Sequence, residues 1–255
     1  MAYNNQNSPG AIAVDLETVP MDGAAEYVPG PEPVPALDLD SIRPARNLKD
    51  ILKIQDDLIK RRADASAAHA EKVEKAKQAH AEKLGKAALD FNLARIVALA
   101  WDDGSGGRSM IAETEAKERE VLEHFWRASA DATLVGFRIR TFDAPMLMAR
   151  SRYLGVKHPA LDLGRYGRSG RVVDLWDVLT FGLSDYDTTS VMPRRLKSYA
   201  KRYGLTVEDQ IDGKEIPALV EAGDWDAVRS HIESDVRLTV ELAQRLGVMR
   251  VAATV

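Results

Sequence analysis

Two short apolar runs read as strands, Ala11-Ile12-Ala13-Val14-Asp15-Leu16 and Arg95-Ile96-Val97-Ala98-Leu99-Ala100-Trp101, and the residues between them cannot be sheet. Residues 20–46 carry Pro20, Pro29, Pro31, Pro33, Pro35 and Pro44. Proline fixes φ and lacks an N–H, so this density excludes helix and central strand and leaves an extended, surface-hugging loop. From about Leu48 to Lys86 the chain turns to Ala, Lys, Glu, Asp and Arg, with no proline and no glycine before Gly85. That is strong helix-former composition. Its apolar stripe is clear only at Ile51, Ile54 and Leu58 and then thins to alanines, Val73 and Leu84. The pattern predicts a mostly solvated arm or helical hairpin rather than a core element, and it lacks the sustained heptads of a coiled coil.

The rest of the chain alternates. An Asp102-Asp103-Gly104-Ser105-Gly106-Gly107 turn joins Arg95–Trp101 to a third strand at about 108–112, as a hairpin. An amphipathic helix over 113–129 turns Val121, Leu122, Phe125 and Trp126 inward. A fourth strand follows at 132–136, then a helix at 142–154, an apolar segment at 172–181, a basic helix at 194–203 and a long amphipathic helix over 225–246. Three strands followed by alternating helices and strands predict an α/β fold with a mixed sheet. The 255 residues are 45% hydrophobic and 29% charged, which suits a globular chain of one large or two small domains. No apolar run reaches the ~18 residues of a membrane span. Residues 1–10 are polar and read as a disordered N-terminus without a secretory signal. The absence of cysteine excludes disulfides, thiolate zinc sites and cysteine nucleophiles. The expectation is a cytoplasmic protein.

A net charge of -4 speaks at first against nucleic acid, but it is unevenly spread. Residues 1–45 hold seven acids against Arg43 alone, a net of -6, which leaves +2 for the remainder. Arg194, Arg195, Lys197, Lys201 and Arg202 follow one another without an acid. The stretch 138–171 adds Arg138, Arg140, Arg150, Arg152, Lys157, Arg165, Arg168 and Arg171 against Asp143 and Asp162. Such stretches are either a solvated surface or a phosphate-binding face.

Several carboxylates stand at element ends. Asp15 and Glu17 flank Leu16 in a strand, so period two sends both to one face. Two carboxylates beside apolar residues cost free energy unless a cation neutralises them, and a divalent ion is the economical solution. The alternative is an exposed edge-strand pair or a turn cap. Asp143 opens a helix in Phe142-Asp143-Ala144-Pro145, where, taken alone, it reads as an N-cap. His231 and Asp235 lie one helical turn apart on a shared face, either as a surface pair or as working groups. His69, His80, His124 and His158 show no ligand spacing and read as structural or exposed.

Taken in order, D-x-E, F-D-x-P and H-x-x-x-D resemble the DEDD superfamily of 3′→5′ exonucleases, and most nearly phage and bacterial homologues of the family B DNA polymerase proofreading domain. Asp15-Leu16-Glu17-Thr18 matches the first motif, Val135 to Leu147 the second and His231 to Val236 the third; Val173–Leu179 and Leu196–Ala200 also look like that family. The resemblance covers 11–19 and about 88–247. It implies an RNase H-like mixed sheet flanked by helices, in one exonuclease domain over 11–255 with residues 20–87 inserted between the first two strands. It implies two divalent cations, Mg²⁺ or Mn²⁺, on Asp15, Glu17, Asp143 and Asp235, with Asp15 bridging. His231 is then the general base, and its ordinary pKa near ~6.5 suits that role. Thr18 and Phe142 become contacts for the terminal nucleotide, and Arg194, Arg195 and Lys197 contacts for backbone phosphates. The substrate class is nucleic acid with a free 3′ end, DNA favoured and single-stranded, with RNA or a non-catalytic nucleic-acid-binding protein as rivals. The helical insertion would suit a polymerase or replisome partner. Two positions depart from the pattern: Arg138 stands where the second motif usually has Asn, and His231 stands at the spacing of the tyrosine subgroup.

Overall fold

The structure, a computed structural model, describes residues 10–47, 49–164, 171–183 and 186–250. The expected disordered N-terminus, Gly10 aside, lies outside the described residues, as do Leu48, Arg165 and Arg168. In chain order the elements are β1 (Ala11–Pro20), α1 (Ile51–Lys86), β2 (Ala94–Asp102), β3 (Arg108–Ile111), α2 (Glu115–Ala128), β4 (Thr133–Gly136), α3 (Asp143–Tyr153), β5 (Val172–Asp174), α4 (Leu175–Leu179), α5 (Leu196–Arg202), α6 (Ile216–Ala222) and α7 (Trp225–Arg245). Contacts divide them into two compact units, one running to Met21 and resuming at Ala88, the other Asp22–Ala87.

The first unit is a five-stranded sheet in the order β3-β2-β1-β4-β5. β2 runs antiparallel to both its neighbours, while β4 and β5 run parallel to β1. This is the mixed sheet that the sequence predicted, in the RNase H-like order. β1 is longer than expected, because pairing with β2 continues past Glu17 to Pro20, with a register shift between Glu17 and Thr18. Proline at the strand's last position costs no interior ladder bond. Ile12, Val14 and Leu16 point to one face, against Val121, Leu122 and Phe125 of α2 and Leu147 of α3. Ala13 points to the other, where Ala98, Ala100 and Val135 meet Trp176, Tyr199 and the α7 residues Val228, Ile232 and Val236.

On the first face one buried charge pair ties three elements. The fully buried Glu118 of α2 accepts the Ile96 N–H at 2.9 Å and the Arg150 Nε–H and Nη2–H at 2.7 and 2.8 Å. The apolar segment expected over 172–181 divides into β5 and α4, because the Asp174 carboxylate caps α4 through the Trp176 N–H at 2.9 Å. α6 was not anticipated. Its signal was present in Asp212-Gly213-Lys214-Glu215, whose Asp212 and Glu215 form a capping box that starts the turn leading into it.

The second unit answers the arm-or-hairpin alternative: α1 is one uninterrupted helix of 36 residues, about 54 Å long at ~1.5 Å per residue. None of its residues is buried. The proline-rich segment runs antiparallel along it, and the contacts form a series. The Ala45 N–H donates to Asp57 at 2.8 Å, Asp40 meets Arg62 at 3.5 Å, the Pro35 carbonyl meets His69 Nε2 at 3.0 Å, and the Pro29 carbonyl meets His80 Nδ1 at 3.1 Å. Proline removes the segment's N–H donors but keeps its carbonyls, and the helix's histidines supply partners for two of them.

Candidate functional site

Period two carries the face of Ala13 onward to Asp15 and Glu17. Opposite them on β2 stand Ala100 and Ala98, whose methyls leave room above the sheet. α7 packs across this face through Val228, Ile232 and Val236, and so brings His231 and Asp235 onto the carboxylates. The His231 Nε2 lies 3.0 Å from Glu17 Oε1 and 4.0 Å from Asp235 Oδ2. Asp143 arrives from the far side. Pairing of β1 with β4 ends at Ala13 and Val135, and beyond it the buried Asp143 carboxylate approaches the Leu16 backbone. Asp143 is therefore the first residue of α3 and not its N-cap; Phe142 holds that position, without a side-chain cap.

These acids are poorly accommodated as anions. Burial raises Asp15 well above the usual carboxylate range, and the charges of Asp143, Asp235 and Glu17 raise it further. Burial pushes Asp143 up to about 8, with Asp174 and Glu17 adding repulsion. Glu17 and Asp235 are raised as well, burial again being the main cause, against the pull of His231 and Lys197. His231 does not keep the ordinary value expected for it. Its burial favours the neutral ring, but hydrogen bonds and charge from Glu17 and Asp209 outweigh that and push it up to about 9.

Asp209 was missed by sequence reasoning. It lies in a loop with no periodic signal, and only the fold brings its Oδ2 to within 2.7 Å of His231 Nδ1. Lys197, expected to face phosphate, is instead drawn into the carboxylates. Its Nζ donates to Asp209 and to the Ile211 carbonyl, both at 2.6 Å, and lies 3.6 Å from Asp235 Oδ1. Thr18 is buried, with its hydroxyl donating to the Ala88 carbonyl at 2.5 Å. Arg194 and Arg195 precede α5; Arg195 pairs with Asp212 at 2.8 Å, and Arg194 reaches the Thr189 carbonyl at 3.2 Å. Phe142 is half-buried against the core.

Among the described residues, donor atoms of Asp209, His231 and Asp235 come within 4.8 Å of one another. The Lys197 ammonium already occupies the cation's place there. The carboxylates of Asp15, Glu17, Asp143 and Asp235 better fit a divalent ion. All their donors are oxygen, their charges are mutually unfavourable, and the buried Asp235 Oδ1 accepts no hydrogen bond among the described residues.

A family model described as a predicted 3′-5′ exonuclease related to the exonuclease domain of PolB matches residues 89–253. The chain belongs to this family. The matched stretch contains Asp143, His231 and Asp235; Asp15 and Glu17 lie ahead of it and join it through the β1–β2 register. Among solved structures, the family B DNA polymerase of the hyperthermophilic archaeon Pyrobaculum calidifontis is similar at 21% identity and a TM-score of 0.47. That similarity covers 60% of this chain and 22% of the polymerase. Among curated proteins none matches. No helix among the described residues is long and apolar enough to cross a membrane.

Proposed function

We propose that the chain is a metal-dependent 3′→5′ exonuclease that hydrolyses the terminal phosphodiester of a DNA strand and releases 5′-mononucleotides. The observation that carries this reading is the convergence of four buried or half-buried carboxylates, from β1, α3 and α7, that destabilise one another as anions. Asp15, Glu17, Asp143 and Asp235 would hold two divalent cations, Mg²⁺ or Mn²⁺. Bound there, the ions would supply positive charge to the attacking and leaving oxygens.

The chain's own groups do the rest. Asp209 fixes the His231 ring through Nδ1 at 2.7 Å and so holds Nε2 toward Glu17. Glu17 is one of the charges that raise His231, and cations bound there would offset that charge and leave Nε2 able to accept a proton from the attacking water. The Lys197 ammonium lies beside Asp209 and Asp235. The half-buried Phe142 ring, beside Asp143, offers a stacking surface for the terminal base. Residues 20–87, most of which form the compact unit Asp22–Ala87, are read as an insertion within one exonuclease domain over 11–255.

The test is digestion of matched 5′-labelled DNA and RNA strands with Mg²⁺, Mn²⁺ or EDTA. A ladder shortening from the 3′ end of DNA, absent in EDTA, supports the reading. Preference for RNA would move the substrate to the ribonuclease branch, and binding without cleavage would make the chain a nucleic-acid-binding protein.

A further inference from the structure

Two arginines of the second motif, two residues apart, are treated very differently. Arg140 is tied down: Nη1 donates to the Gly164 carbonyl and Nη2 to the Val172 carbonyl, both at 2.7 Å, and Nε lies 3.2 Å from Asp177 as an ion pair without a hydrogen bond. Arg138 has no acceptor for its guanidinium among the described residues. Its Cζ lies 4.1 Å from the centroid of the Trp176 ring, and that stacking is its side-chain contact. Arg194 approaches the same ring, with Cζ at 6.0 Å. Two cations therefore share one indole.

The backbone shows that Arg138 is held in this place. Its φ is 62°, in the left-handed region that non-glycine residues avoid, and the Asp174 carboxylate fixes it by accepting the Arg138 N–H at 2.8 Å and the Arg140 N–H at 3.2 Å. The turn begins at Gly136, where a Cβ would come within 2.9 Å of Ile139 Cβ and 3.1 Å of the Val14 carbonyl oxygen, so only glycine lets the chain pass. Arg138 and Trp176 line one cavity of about 190 Å³ with Arg140, Thr141, Asp174 and Asp177. Both carboxylates of that cavity are engaged, Asp174 by three backbone N–H groups and Asp177 by Arg140. The Arg138 guanidinium is left without a hydrogen-bond acceptor among the described residues, pre-oriented on a flat ring. The cavity adjoins the carboxylate centre, because the Asp174 charge acts on Asp143.

We infer that Arg138, stacked on Trp176 with Arg194 beside it, binds a backbone phosphate of the substrate strand. The inference rests on the exonuclease reading above and adds a strand-holding residue to it. A guanidinium is suited to this: its planar fork matches two phosphate oxygens while its face stays on the aromatic ring. A half-buried guanidinium whose N–H groups meet no acceptor among the described residues has donors to spare for an anion.

The test is anisotropy of a 5′-labelled single-stranded DNA with a free 3′-hydroxyl, in EDTA, titrated over a range of KCl with wild type, Arg138→Asn and Arg138→Lys. Asn tolerates the left-handed backbone, so Arg138→Asn removes the cation without added strain. The expected result for Arg138→Asn is about fivefold to tenfold weaker binding and a log Kd against log salt slope reduced by ~0.7, the value for one single-strand phosphate contact. Arg138→Lys should keep most of the slope. An unchanged slope in Arg138→Asn, with melting like wild type, overturns the Arg138 assignment while wild-type cleavage leaves the exonuclease reading intact. Wild type that neither binds nor cleaves any 3′-ended strand overturns the exonuclease reading itself.

Discussion

The two units of this chain are stabilised in opposite ways. The sheet unit buries apolar side chains on both faces and then places charges inside, including Glu118 with Arg150 on one face and the carboxylates with His231 on the other. The insertion buries no residue of its 36-residue helix, and its proline-rich segment is held by side chains reaching backbone groups and by one exposed ion pair. A buried charge is costly when its partner is lost, whereas an exposed polar contact is worth little because water replaces it. Where a substitution falls should therefore decide its effect more than its chemical type.

The largest expected effect is at Glu118. Glu118→Ala leaves Arg150, only 3% exposed, with the exposed Glu115 at 3.6 Å as its remaining carboxylate and orphans the Ile96 N–H, and should cost about 3–5 kcal/mol in a denaturant titration. A cost below about 1 kcal/mol would mean that the pair is not buried in solution.

Next is the carboxylate face, through pH. Asp143 titrates at about 8 in the fold against an ordinary 3.8, so the folded state holds more protons than the unfolded state between those values, and stability falls as pH rises. His231, at about 9 against 6.5, contributes stability below its unfolded value that is lost as pH climbs through 9, in the same direction. In EDTA the melting temperature should therefore drop by several degrees from about pH 6 to pH 9, and Mn²⁺ should flatten the decline. A melting temperature that rises with pH in EDTA would show that the acids do not repel one another.

The smallest effect belongs to the insertion. His69→Ala and His80→Ala should each change global stability by less than about 1 kcal/mol while speeding amide exchange within residues 29–45. A loss as large as that of Glu118→Ala would erase the contrast between the units.

Legibility in the sequence follows the same division. The inward face of α2, the β2–β3 hairpin and the α7 amphipathicity were readable because each is a local periodicity. Asp15 with Glu17 and His231 with Asp235 were readable as same-face pairs, and their order along the chain brought out the family. What escaped depended on long-range geometry. Asp209 has no local pattern, and Lys197 looked like one more surface cation until the fold drew it against two acids. The raised His231 could not be foreseen, because two carboxylates distant in sequence hold its proton. The insertion was legible as helix and proline-rich loop. Its continuity as one helix was not, since hairpin and single helix share the same composition.

The most direct test of the carboxylate centre is a side-by-side time course of wild type and Asp143→Asn on a 5′-labelled single-stranded DNA in Mn²⁺. Asn keeps the side-chain size and removes the charge. The expectation is stepwise shortening from the 3′ end by wild type, with at least about 10³-fold slower product release by Asp143→Asn in a protein whose metal-free melting temperature is equal to or above wild type. Undiminished, EDTA-sensitive shortening by Asp143→Asn would contradict the assignment of this face as the metal-binding, strand-cleaving centre.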